Sequence, residues 1–258
     1  MLAKTLNNKA KLREARETVR IGCDRYKRKA PDFLSLRQVE LSDEEKAALR
    51  HAFDVATRPM AELRGFLLSG SLQQCPFCGL TGASSLDHYL PKDAYPEYSI
   101  FSKNLVPACP DCNNLKRDIV RNDKGARAFL HPYFDLVPTV AFLTLAVRLR
   151  ARAIELRFSV VQEDGIDAEA FGRIESHFKI LDLADRYRVK ALLELRGIKG
   201  ALRDHHREGG AEKVSAELLR VGRSWEESFG VNYWRGLLYR TLAAQADFCD
   251  RGFDVVVR

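Results

Sequence analysis

Four of the six cysteines occur in two Cys-x-x-Cys pairs, Cys75 with Cys78 and Cys109 with Cys112. Four thiolates complete the tetrahedral shell of a structural zinc ion, and the segment between the pairs then becomes a loop closed by one metal. No apolar segment typical of a secretion signal follows Met1, so the paired motifs indicate metal binding before disulfides. The spacing predicts a structural Zn²⁺ site. Four unligated core cysteines are the alternative.

The loop between the pairs, and the residue after the second pair, carry groups suited to phosphodiester hydrolysis. Imidazole titrates near neutral pH, so His88 is suited to take a proton from an attacking water. Asp87 offers a carboxylate oxygen and Asn113 an amide oxygen to a divalent cation, Mg²⁺ or Mn²⁺, that keeps water and substrate phosphate as its other ligands. Adjacent side chains of a strand point apart, so Asp87 can hold the metal while His88 faces the water. The alternatives are a structural histidine, a turn aspartate and an asparagine that starts a helix.

These features follow one another in a fixed order in residues 75–116: Cys-x-x-Cys, Asp-His-x-x-Pro, Asn-Leu, and Cys-x-x-Cys-Asn-x-x-Lys. This order resembles the HNH endonuclease family, in the variant that has Asn113 in place of the last histidine. The resemblance implies a ββα-metal fold, with Asp87 and His88 at the end of the first strand and Asn113 on the helix. It places Asn104 in the loop before the second strand, where we expect its side chain to fix the loop that carries His88.

Several residues near this segment are candidates for contact with nucleic acid. Lys116 and Arg117 follow Asn113 by three and four positions and therefore share a helix face with it, which favours phosphate contact. Lys92 and Lys103 can extend that surface. His131 can either pack on the module or reach the phosphate, and packing is the favoured reading. The aromatic residues of the loop can stack on bases or form a local core, and the core is favoured.

The net charge is +7 and the pI is about 9.1. Residues 1–30 hold ten basic and three acidic residues, so their net charge equals that of the whole chain. A basic segment indicates a polyanionic partner such as DNA, or else a solvated helix face, and the sequence leaves both open. No uncharged apolar stretch has the length of a membrane span, so we expect a cytoplasmic protein with no membrane contact.

Periodicity predicts an α+β protein in three parts. Residues 1–71 form a basic helical region, with a helix over 7–29 and another after a capping box at Ser42 and Glu45. Residues 72–135 form the nuclease module, with a helix-like stretch at 111–121. Residues 136–258 begin with a hairpin over 140–161 and continue as helices broken at Gly209-Gly210 and Gly230.

We expect a metal-dependent endonuclease that cuts nucleic acid, DNA in the first instance. A zinc-stabilised binding or partner-docking module without catalysis is the rival hypothesis, although such a module has no need of Asp87 and His88. The family resemblance also implies two possible settings, mobile elements and anti-phage defence, and in the latter such nucleases work beside a companion ATPase.

Overall fold

The computed structural model describes residues 2–55, 57–70 and 74–255, with side chains from residue 7 onward. Within those residues helices occur together with two small antiparallel sheets, which confirms the α+β class. None of the described helices is long and apolar enough to cross a membrane.

The chain forms two compact units, one up to Leu136 and one from Val137 onward. The predicted ranges 1–71 and 72–135 therefore lie within one unit, and the boundary between residues 71 and 72 falls outside the described residues.

The first unit begins with four helices, α1 Leu2–Glu14, α2 Arg16–Lys29, α3 Asp43–Asp54 and α4 Arg58–Gly70. The single helix predicted over 7–29 is wrong in detail, because the chain divides at the buried Ala15, although Ala15 still makes helical hydrogen bonds to both sides. The capping box is present: Ser42 N–H donates to Glu45 Oε2 at 2.7 Å, and Glu45 N–H donates to Ser42 Oγ at 3.3 Å.

The central element of the first unit is a strand pair followed by a short helix. Strands β1, Ser85–His88, and β2, Leu105–Ala108, are antiparallel, with Ser85 opposite Ala108 and His88 opposite Leu105. Helix α5, Pro110–Lys116, follows directly, and Pro110 occupies its first turn, where a missing N–H costs nothing. The helix ends five residues before the predicted limit of 121, because Arg117 has φ of 45° and leaves the helical region.

The second unit begins with the predicted hairpin, β3 Leu143–Arg150 and β4 Ala153–Val160. Helices α6 Ala168–Ile180, α7 Leu183–Phe229, α8 Trp234–Ala243 and α9 Ala246–Cys249 follow. Helix α7 is two helices joined at Gly209 and Gly210, where Gly210 has φ of 64°, a conformation that favours glycine. The inward side chains of the hairpin, including Leu145 and Phe158, are buried against α7 and α8.

Candidate active site and metal centre

The four cysteines of the two Cys-x-x-Cys pairs form one buried cluster. Their sulfur atoms all lie within 4.8 Å of one another, and Cys78 Sγ is 3.8 Å from Cys109 Sγ. The first pair sits on a tight turn in which the N–H groups of Cys78 and Gly79 donate to Cys75 O at 3.3 and 2.8 Å. Gly79 has φ of 61°, so the turn requires a residue that tolerates the left-handed region. The cluster is able to hold a metal ion.

The second pair is positioned by the start of α5. Cys109 is the N-terminal cap of this helix, and its sulfur accepts a hydrogen bond from Cys112 N–H at 3.5 Å. Hydrogen bonding from Cys112, and then from the other two thiols, holds the pKa of Cys109 well below its ordinary value. The same contacts raise the pKa of Cys112 and Cys75, because neighbouring sulfur atoms cannot all carry a negative charge without a cation between them.

Helix α5 packs against β1 and contacts both ends of the strand through side chains of its own. Asn113 Nδ2 donates to Ser85 Oγ at 3.3 Å, which ties the start of β1 to the helix. One turn later Lys116 Nζ donates to His88 O at 2.7 Å and lies 2.9 Å from Asp87 Oδ2. Asn113 therefore contacts the start of β1, whereas Lys116 contacts Asp87 and His88 at its end.

The imidazole of His88 has a defined orientation. Its Nε2 lies 2.9 Å from Ser99 O. A carbonyl oxygen can only accept, so Nε2 carries the proton and Nδ1 keeps its lone pair. The ring of Phe53, on α3, meets the His88 ring edge-on at 4.3 Å between centroids. Burial lowers the pKa of His88 to about 4, so the ring is an uncharged base at neutral pH.

The carboxylate of Asp87 is almost fully enclosed, with 4% of its surface exposed. Burial raises the pKa of Asp87 to about 6, while the ion pair with Lys116 opposes that rise. Apart from that ion pair, Asp87 Oδ2 has no hydrogen-bond partner among the described residues. This buried oxygen is therefore able to coordinate a cation in addition to its ion pair with Lys116.

Asn104 is fully buried and holds the segment that follows His88. Its Oδ1 accepts from Leu90 N–H at 2.8 Å and from the hydroxyl of Tyr26 at 3.2 Å. Its Nδ2 donates to Leu90 O at 3.0 Å and to Tyr98 O at 3.3 Å. These contacts suit a residue that fixes the loop, and they leave its amide no direct access to a reacting phosphate.

The structure corrects the expected role of Lys116. Its side chain is fully buried, so it does not present a phosphate contact on an exposed helix face. A seven-residue helix against a strand pair has one inward face, and Lys116 lies on it, where its ammonium group satisfies Asp87 and the carbonyl of His88. Arg117 is exposed and remains available to a phosphate. Lys92 Nζ lies 2.6 Å from Asp54 Oδ1, so its ammonium group is shared with a carboxylate of the same unit.

Sequence reasoning missed two side chains that hold the site from the N-terminal helices. Phe53 contacts His88 and carries Arg64 over its ring at 4.5 Å, and the motifs of the sequence give no sign of either contact. Tyr26, on α2, donates to Asn104 and lies 3.0 Å from His131 Nε2. His131 itself is fully buried among aromatic rings, in agreement with the packing interpretation.

Comparison with known proteins finds a relative encoded by a bacteriophage. The chain is 28% identical over 195 residues to Protein ea31 of Escherichia phage lambda, an alignment that covers 70% of this chain and 65% of the phage protein. The chain therefore spans less than two thirds of that relative's length. No family model matches the chain, and no solved structure matches it.

Proposed function

We propose that the protein is a metal-dependent endonuclease of the HNH kind, which hydrolyses phosphodiester bonds in nucleic acid. The observation that carries the proposal is the fixed orientation of His88 at the end of β1, next to Asp87 and within reach of the helix that bears Asn113. The order of motifs in residues 75–116 supports it.

In the proposed reaction His88 acts as the general base. Its Nδ1 takes a proton from water while Nε2–H stays bonded to Ser99 O, which stabilises the imidazolium that forms. Phe53 restricts the imidazole ring to this orientation. Asn104 holds the backbone at Leu90, two residues after His88. A base whose geometry is set before the substrate arrives loses no entropy when it reacts.

We propose that a divalent cation, Mg²⁺ or Mn²⁺, is held by Asp87 and Asn113. These two residues suit such a cation because both supply oxygen ligands. Asp87 Oδ2 is also able to coordinate a cation in addition to its ion pair with Lys116. When bound, the cation stabilises charge that develops on the phosphoryl and leaving oxygens. Lys116 holds Asp87 in place and adds a positive charge beside it.

For the cysteine cluster we propose zinc. Four sulfur atoms at ~2.3 Å from a central zinc lie about 3.8 Å apart along each edge of the tetrahedron. The distance of 3.8 Å between Cys78 and Cys109, and the limit of 4.8 Å for the whole set, suit that geometry. Four thiolates leave no open position, so this zinc is structural.

The rival function is nucleic-acid binding without catalysis. The specific observation in its favour is the ion pair of Asp87 with Lys116, which satisfies most of the charge on the carboxylate without a metal. The two functions predict different effects of Asn113. Only the nuclease needs its side chain for the dependence of DNA cleavage on a divalent cation.

The experiment measures cleavage of a labelled DNA duplex against Mn²⁺ concentration. An Asn113→Ala variant is expected to need at least tenfold more Mn²⁺ for half-maximal cleavage, while Asn114→Ala, an exposed neighbour, matches the wild-type chain. If zinc-loaded protein binds DNA but does not cut it at any Mn²⁺ concentration, the binding function replaces the enzyme.

A role in phage defence or in a mobile element, beside a companion ATPase, is a further part of the proposal and rests on resemblance alone. Expression with the neighbouring genes should reduce phage plaque formation, and a His88→Ala variant should not. Equal plaque numbers with and without the genes would remove the defence role.

A further inference from the structure

The hairpin of the second unit has one outward face that its own unit leaves uncovered. Its two strands have eight residues each, and their side chains alternate between an inward face that is buried or half-buried and an outward face that is mostly exposed. At roughly 3.3 Å per residue the ribbon is about 25 Å long. The outward face is made by these residues: Thr144, Ala146, Arg148 and Arg150 on β3, and Ala153, Glu155, Arg157 and Ser159 on β4.

This face carries a specific kind of charge. Arginine supplies every cation on it, and Arg152 adds one more in the turn between the strands. Arg150 pairs with Glu155 at 3.1 Å. Within the described part of the chain, Arg148, Arg152 and Arg157 have no ion pair. A guanidinium group without an ion pair is suited to bind a phosphate or the edge of a guanine, and this surface carries three of them.

The remaining outward side chains are small. Ala146 and Ala153 project little, and the Oγ atoms of Thr144 and Ser159 lie 2.8 Å apart and satisfy each other. Small residues between arginines allow the ribbon backbone to approach a surface closely while the guanidinium groups reach to either side.

The side chains on the opposite, inward face of the ribbon pack against the rest of the second unit and hold the ribbon in place. Leu145 and Phe158 are buried against the helices of the same unit. Near the tip, Leu149 packs so closely on Gly252 that a Cβ added there would lie 2.8 Å from Leu149 Cδ1. The outward arginines therefore stand on a support that does not have to fold when a ligand binds.

We propose that the outward face of the β3–β4 ribbon docks in the major groove of duplex DNA, with Arg148, Arg152 and Arg157 as its contacts. A two-stranded ribbon fits the B-DNA major groove, which is about 12 Å wide. The inference deepens the proposed nuclease function and rests on it for the choice of substrate. It assigns to the second unit a surface that holds the duplex.

Acidic residues at one side of the ribbon limit where the duplex lies. A groove of about 510 Å³ beside β4 is lined by Arg148 and Arg157 together with Glu155, Asp182 and Asp185. Asp185 is paired with Arg188 at 2.6 Å, and Glu155 with Arg150. Asp182 adds a further negative charge to this groove, so the phosphates are expected to contact the arginines from outside it.

The test is equilibrium binding of a fluorescein-labelled DNA duplex by the full chain, in a His88→Ala background without added divalent cation. The ribbon variant replaces Arg148, Arg152 and Arg157 with glutamine. The control variant removes the same charge from exposed positions elsewhere in the unit, by glutamine at Arg207, Arg220 and Arg223. All six positions are exposed, so folding is not at risk, and zinc content provides a check.

The ribbon variant is expected to raise Kd at least tenfold and to reduce the slope of log Kd against log salt by about 2 to 3, because each lost phosphate contact contributes ~0.9. The control is expected to change Kd less than threefold. Equal effects of the two variants, or no binding of duplex DNA by the parent, would overturn the proposal.

Binding of an A-form RNA duplex distinguishes docking in the major groove from electrostatic attraction to any nucleic acid. Its major groove is deep and narrow, so the ribbon cannot enter it, and the ribbon variant should weaken RNA binding no more than the control does. An equal tenfold loss on RNA and DNA would refute major-groove docking. No cleavage is read in this experiment, so the nuclease proposal stands or falls separately.

Discussion

Asn104 offers a prediction whose magnitude follows from its contacts. An Asn104→Ala substitution removes four hydrogen bonds, two to Leu90 and one each to Tyr26 and Tyr98. All four partners sit in a buried region, and a buried group left without its partner costs about 1–3 kcal/mol. The N–H and the C=O of Leu90 each lose the hydrogen bond to Asn104 in the same substitution. We expect the unfolding free energy of the first unit to fall by about 3–5 kcal/mol, since the losses within one network do not add fully.

The assay is urea denaturation followed by two signals. Release of metal from the cysteine cluster, detected with a chromogenic chelator, reports on the first unit. Tryptophan fluorescence reports on the second, because both tryptophans, Trp225 and Trp234, lie there. The expected result is a lower urea midpoint for metal release, accompanied by slower nucleic-acid cleavage.

The matched control is Asn114→Ala, since Asn114 is exposed on the same short helix as the second cysteine pair. An exposed substitution of this kind should change the unfolding free energy by less than about 0.5 kcal/mol. If Asn104→Ala costs under 1 kcal/mol, the network does not hold the loop after His88, and the account of its role fails.

Three further results are expected. A Phe53→Ala variant should keep its metal content but cleave DNA about tenfold more slowly, because His88 loses the ring that orients it; an unchanged rate would show that Phe53 has no such role. Burial lowers the pKa of His131 to about 3, so below pH 6.5 the unfolded chain binds a proton that the folded chain does not. The unfolding free energy should then fall by up to about 1.4 kcal/mol per pH unit between pH 6.5 and 4. Urea titrations of a His131→Gln variant should show a shallower pH dependence, and an equal slope would contradict the assignment. A Cys112→Ser variant should lose most of its zinc in elemental analysis and unfold in its first unit at lower urea, and full retention of zinc would refute the four-thiolate site.

The local parts of the site could be predicted from sequence because each depends on neighbouring residues. Two cysteine pairs close a loop, Pro110 starts a helix and alternation marks the β3–β4 hairpin, so the cysteine cluster and the elements around it follow from short-range patterns. The capping box at Ser42 is of the same kind.

The remaining parts depend on contacts between segments far apart in the chain. Spacing from Asn113 shows that Lys116 shares its helix face, but it does not reveal whether that face meets solvent or β1. The contact of Phe53 with His88 joins α3 to the end of β1, and that of Tyr26 with Asn104 spans 78 positions. Helical periodicity marks the apolar positions of a helix but does not name the partners of the side chains there.

The central claim is that His88 is the base of a nuclease. The most direct measurement is the rate at which supercoiled plasmid is nicked or linearised by zinc-loaded protein, with Mg²⁺ or Mn²⁺ and without added divalent cation. Wild-type protein and a His205→Ala control, altered at a histidine of the second unit, should both cleave only with the divalent cation. His88→Ala should be slower by a factor of 10² or more, as expected for loss of a general base. Equal rates for His88→Ala and wild-type protein would contradict the account.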